Sequence, residues 1–184
     1  IGNRALANVT TNNNCTAVGY DALRYSTGSD NTAVGSTALD ANTTGASNVA
    51  IGKSALGANT TADYNIAVGQ SALATNTTGA QNTAIGGLSL RYLTTASNNT
   101  AIGYNAGSDT TTGTLNTTVG SEAFKDNTTG GYNVALGQNA LHANTTASNN
   151  VAVGQSALSA NTTGAGNTAV GKGALVANTT AADN

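Results

Sequence analysis

Gly2, Gly19, Gly35, Gly52, Gly69, Gly86, Gly103, Gly120, Gly137, Gly154 and Gly171 recur every 17 residues, with a single interval of 16 between Gly19 and Gly35. Around each glycine the chain reads close to N-T-A-V-G-x-x-A-L-x-x-N-T-T-G-x-x. A short fixed period means one supersecondary unit stacked on copies of itself, since so short a unit cannot bury its apolar face alone. Residues 1–184 therefore read as a single repeat array. No residue set in it has the singularity of an active site. The array starts at Ile1 and stops at Asn184, both in mid-repeat, which reads as a piece of a longer fibrous protein.

The period excludes several folds. An α-helix is disfavoured because every block carries an Asn-Thr-Thr group and glycines, which cost about 1 kcal/mol per site against Ala in a helix. A coiled coil needs a spacing of 7, and collagen needs Gly at every third residue with abundant Pro, of which there is none. Strands fit better. Each block holds room for two or three short strands, around Asn48–Ile51, Ala55–Leu56 and Asn59–Thr61, with turns between them. The expected fold is all-β: a parallel β-solenoid, or β-roll, of eleven 17-residue coils about 4.8 Å apart. The absence of Pro agrees, because each coil must donate backbone N–H groups to its neighbour.

Stacking converts each slot into a column. The Val/Ile column (Val18, Val34, Ile51, Val68, Ile85, Ile102 and onward) and the Leu column (Leu23, Leu39, Leu56, Leu73 and onward) are the expected core. The Asn column is expected to run amide hydrogen bonds from coil to coil. Strand alternation then sends Ala17, Ala33, Ala50, Ala67, Ala84, Ala101, Ala135, Ala152 and Ala169 to the opposite face. Small apolar residues on an outer face imply close packing against another chain, so this column is the candidate oligomer interface.

The runs N-T-A-V-G and N-V-A-I-G, each followed by x-x-A-L, resemble the repeats of trimeric autotransporter adhesin heads and of phage tail-fibre proteins. The resemblance implies a left-handed β-roll and a homotrimer. It also implies a fibre segment at a cell surface, in the extracellular space or on a virion, presenting a receptor-binding tip. The host glycan or protein such fibres meet would be the partner. The 17-residue coil is longer than the usual adhesin-head repeat and leans toward the tail-fibre variant.

Little else in the chain speaks of chemistry. The net charge of −2 lacks the basic surface that nucleic acid or an anionic membrane requires. No apolar run approaches the roughly 18 residues of a membrane span. His142 has no companion ligand at metal spacing, the 8 acidic residues are dispersed, and no nucleophile or phosphate-binding motif occurs. The expectation is a non-enzyme without metal or cofactor. Cys15 sits in an Asn slot as a small substitute. The pairs Arg24–Tyr25 and Arg91–Tyr92 share one slot four coils apart and are the candidate surface contact, suited to stacking on sugar rings. The alternative function is ice binding through the Asn-Thr-Thr ladders.

Overall fold

The computed structural model describes residues 1–8 and 14–184. They form an all-β parallel solenoid without a helix among the described residues. Ten three-residue strands stack in chain order: β1 (Thr16–Val18), β2 (Thr32–Val34), β3 (Val49–Ile51), β4 (Ile66–Val68), β5 (Thr83–Ile85), β6 (Thr100–Ile102), β7 (Thr117–Val119), β8 (Val134–Leu136), β9 (Val151–Val153) and β10 (Thr168–Val170). Each pairs in parallel with the next, with like residues opposite one another, as in Ala50↔Ala67 and Ile51↔Val68. Among the described residues the first repeat contributes no strand, although Ile1 O accepts the Gly19 N–H at 2.8 Å.

Among the described residues each coil after the first has one strand rather than two or three. After the strand comes the marker glycine, whose backbone is in a region open only to glycine (φ 132° at Gly52, 137° at Gly69). A Cβ on Gly52 would lie 2.5 Å from the Gly69 carbonyl oxygen, so the two backbones pass too closely for any side chain. The expected Ala55–Leu56 strand is instead a turn. Ser54 and Leu56 are both left-handed (φ 57° and 49°), and the Ala55 N–H donates to Gly52 O at 3.2 Å. A left-handed residue resets the alternation of a strand. Ala55 and Leu56, neighbours in sequence, consequently both enter the interior. The Asn-Thr-Thr segment crosses the far side, where Thr60 N donates to Thr77 O and Thr77 N to Thr94 O.

The core is thin and half polar. Most coils contribute two alanines, a leucine, two asparagines and a small Gly or Ala, nearly all fully buried, with residues such as Ser26, Ser89, Gly107, Thr110, Thr118 and Phe124 standing in for one of these in their coils. The expected ladder runs along one asparagine column, and a second, unexpected one runs along the Asn of the Asn-Thr-Thr groups. In the first, Asn65 Oδ1 accepts the Asn82 N–H at 2.9 Å while Asn65 Nδ2 donates to Gly79 O at 2.9 Å. In the second, Asn59 Nδ2 donates to Asn42 Oδ1 at 2.8 Å. These bonds satisfy amides that would otherwise be costly to bury. Cys15 replaces the first-column Asn and donates from Sγ to Gly28 O at 3.4 Å, a weaker version of the same contact.

Candidate functional site

The sheet faces the opposite way from the expected one. Ala33, Ala50, Ala67, Ala84, Ala101, Ala135 and Ala152 are 0% exposed within the single chain, and Ala17 and Ala169 are nearly so. They line the interior beside the first Asn column and are not an interface. The cause is steric. The coil is narrow, its interior already holds Leu and Asn, and only a small side chain fits at the middle of the strand: Ala in nine of the ten, Thr118 in β7. The residues on either side of each Ala point outward instead. Val18, Ile51, Ile85 and Ile102 are 38 to 40% exposed, and the column before the alanines holds Thr16, Thr32, Val49, Ile66, Thr83 and Thr100.

This outer face is flat, regular and without charge over β1 to β10. From strand spacing and length it spans about 45 by 10 Å, or roughly 450 Å2. That lies within the range of about 300–600 Å2 for the largest apolar patches of monomers, which often serve in binding.

The Arg/Tyr pairs are real contacts within the chain. The Arg24 guanidinium carbon lies 4.5 Å from the Tyr25 ring centre, and that of Arg91 lies 4.9 Å from Tyr92. The two pairs are four coils apart, about 19 Å at the sheet spacing, so they do not converge on one site. The pair at Arg24 belongs to a larger group. Arg4 forms a double hydrogen bond to Asp21 (2.6 Å from both Nε and Nη2), Arg24 approaches the same carboxylate at 3.7 Å, and Arg4 lies 5.4 Å from the Tyr20 ring. The Arg4 hydrogen bonds hold the Asp21 carboxyl below its usual range, against partial desolvation, and raise Arg4 in turn. Burial raises the Asp40 carboxyl. Asp126, hydrogen-bonded at 3.2 Å, raises Lys125.

The Thr ladder is largely closed to solvent chemistry. The first Thr hydroxyl of each Asn-Thr-Thr group donates to a carbonyl of the next coil, as Thr60 Oγ1 does to Thr77 O at 3.1 Å and Thr77 Oγ1 to Thr94 O at 3.1 Å. The second Thr, such as Thr61 or Thr78, is exposed, whereas most of the first-position threonines are half-buried, Thr43 being an exposed exception. The asparagines of the formal Asn-x-Thr acceptor sites at Asn42, Asn59 and Asn76 are buried and bonded within the ladder.

No group of three metal-ligating side chains occurs among the described residues, and no helix is long and apolar enough to cross a membrane. His142 lies among polar neighbours, its Nδ1 3.1 Å from Glu122 O and its Nε2 3.8 Å from Asp126. No protein-family model, curated protein or solved structure matches this chain.

Proposed function

We propose that this array is a structural segment of an extracellular or virion fibre, a non-enzymatic spacer that carries a receptor-binding tip and works as a homotrimer. Eleven coils of left-handed β-roll are the form in which the resemblance to adhesin heads and tail fibres would realise it. The observation that carries the reading is the uncharged Thr/Val/Ile face of the sheet. Monomeric solenoids normally place polar residues on an outer strand face. Covering the exposed part of each Val or Ile here would contribute about 1.5 kcal/mol, at about 25 cal/mol per Å2 of apolar surface. The face itself is smaller than the about 800 Å2 that each partner contributes to a stable complex. Flanking columns or further coils must therefore share the contact.

Light scattering on the chain tests this directly. A mass of three chains is expected, falling to one chain in the double variant Ile51→Lys/Ile85→Lys with its circular dichroism unchanged. Both side chains point outward, so the substitutions leave the core intact. A single-chain mass for the native sequence sinks the fibre reading. A three-chain mass in the Lys variant moves the interface to another face. The ice-binding alternative draws less support, because half of the Thr hydroxyls it would use are bound to backbone. Thermal hysteresis of the native chain is its test.

A further inference from the structure

The columns two and five residues after each marker glycine form the corner that follows the sheet. In several coils their polar atoms are engaged within the chain. Asp21 takes Arg4 and Arg24, and the Thr37 hydroxyl contacts Ser36 O at 2.8 Å and Ser54 Oγ at 3.0 Å. After Gly120, Gly137 and Gly154 the first of these columns is less engaged, while in the second Lys125 turns to Asp126 and His142 to Glu122 O and Asp126. There Glu122, Asn139 and Ser156 from one column, with His142 and Ser159 from the other, line a concavity of about 300 Å3. Small-ligand sites run from about 300 to 1,000 Å3, so this one holds a molecule of about one ring.

Several of its lining polar atoms have no partner among the described residues. Asn139 Oδ1 is buried and has no hydrogen-bond partner, a costly state unless something donates to it. The Glu122 carboxylate enters none of the ion pairs among the described residues, while neighbouring Lys125 turns to Asp126. His142 forms a wall. Its Nδ1 carries the proton, since its partner Glu122 O can only accept. Ser156 and Ser159 add hydroxyls that can donate or accept.

We infer that this concavity binds an amino sugar, a monosaccharide ring bearing a protonated amine. The lining offers a carboxylate, an unfilled amide oxygen and two hydroxyls, with no Lys or Arg among its residues. That balance selects a donor-rich ligand. The ammonium makes a charge-assisted hydrogen bond to Glu122, ring hydroxyls exchange hydrogen bonds with the serines, and a turn of the Asn139 side chain toward the cavity lets its buried Oδ1 accept from the ligand. Phosphate or carboxylate ligands would meet the Glu122 charge. A planar apolar ligand would find only the His142 ring and otherwise polar walls. The site shares no residue with the outer sheet face.

The test is a titration of the 15N-labelled chain with D-glucosamine, with glucose and ethanolamine as separate arms. Saturable shifts are expected at Asn139, His142, Ser156 and Ser159, with a Kd in the millimolar range expected for about a dozen non-hydrogen atoms in an open site. Glucose, lacking the ammonium, and ethanolamine, lacking the ring, should each bind about tenfold more weakly, the equivalent of roughly one hydrogen bond. Glu122→Gln should weaken glucosamine by about the same factor and leave glucose and the circular dichroism unchanged. The native titration maps the site without relying on any variant. Shifts scattered along the array, equal binding of ethanolamine or glucose, or undiminished binding by Glu122→Gln would each overturn the assignment.

Discussion

Replacing Asn65 probes whether the buried amide column, rather than apolar packing, holds the coils in register. Its side chain makes three hydrogen bonds: Nδ2 to Gly79 O at 2.9 Å, and Oδ1 from Asn82 N at 2.9 Å and Asn82 Nδ2 at 3.2 Å. Two of the three partners have substitutes. Gly79 O also accepts from Asn76 Nδ2 at 2.8 Å, and Asn82 Nδ2 also donates to Ala96 O at 2.9 Å. The Asn82 backbone N–H has none, so Asn65→Ala strands it in the core. An orphaned buried donor costs about 1–3 kcal/mol, and the lost bonds and small cavity add to it, giving about 3–4 kcal/mol in all.

Asn65→Asp is the sharper version. The new carboxylate still accepts from Asn82 but cannot donate to Gly79 O while ionised. Burial lifts its folded-state pKa above the unfolded value of about 3.9. The associated stability is therefore present below that value and lost as pH rises through the folded-state pKa. The variant should be far weaker than the native chain at pH 7 and close to it at about pH 3. Asn150→Asp supplies a control at the same slot, because Asn150 Nδ2 has no partner to lose; its neutral-pH penalty should be smaller. Urea denaturation, with hydrogen exchange at the Asn82 amide as a local readout, measures all of this. A loss under about 1 kcal/mol in Asn65→Ala, or a pH-independent Asn65→Asp, would refute the column as the source of register.

Two further outcomes are expected. Gly69→Ala places a Cβ 2.5 Å from Gly86 C and O at φ 137°, and should cost about 4 kcal/mol or more, whereas Gly87→Ala, whose nearest neighbour is Tyr104 at 3.7 Å, should stay within about 0.5 kcal/mol by urea midpoint. Equal effects would show that the close backbone passage is not a constraint. Asp40→Asn should raise the Tm at pH 7, because burial raises the Asp40 carboxyl, so stability present below about pH 3.9 in the native chain is lost as pH climbs through the raised value. The gain should close near pH 3; a constant difference across pH would mean that charge is not the cause.

The period, the parallel stacking, the Leu column and the first Asn ladder are all legible in the repeat. The facing of the strand is not. Alternation places Asn48 and Ala50 together against Val49 and Ile51, but a three-residue strand does not say which pair is inside. Assigning the larger aliphatics to the core assumes an interior wide enough to hold them. The ladder itself points the other way: an Asn that hydrogen-bonds within the core brings the Ala two residues on in with it. The Ala55–Leu56 turn escapes a periodic reading for a different reason. Ser54 and Leu56 are left-handed without being Gly or Asn, and only the closing hydrogen bonds of the coil impose that conformation. The concavity at Asn139 depends on which side chains remain unpaired after folding, and a slot pattern carries no such information.

An interior made of Ala, Leu, Asn and Gly changes where the hydrophobic energy of this chain resides. Most coils bury one large apolar side chain, and most of their cohesion runs through backbone and amide hydrogen bonds to their neighbours, each worth only about 1 kcal/mol net. The β-branched aliphatics, which in most sheets would supply the core, stand outside. The largest unrealised burial in the molecule is therefore on its surface, along a line parallel to the stacking axis. A contact along such a line couples every coil at once, so association would stiffen the whole array rather than one point on it. The inward columns can then be held fixed for register while the corner slots vary. In that division of labour, polar groups such as those around Asn139 can change from coil to coil without disturbing the rod that carries them.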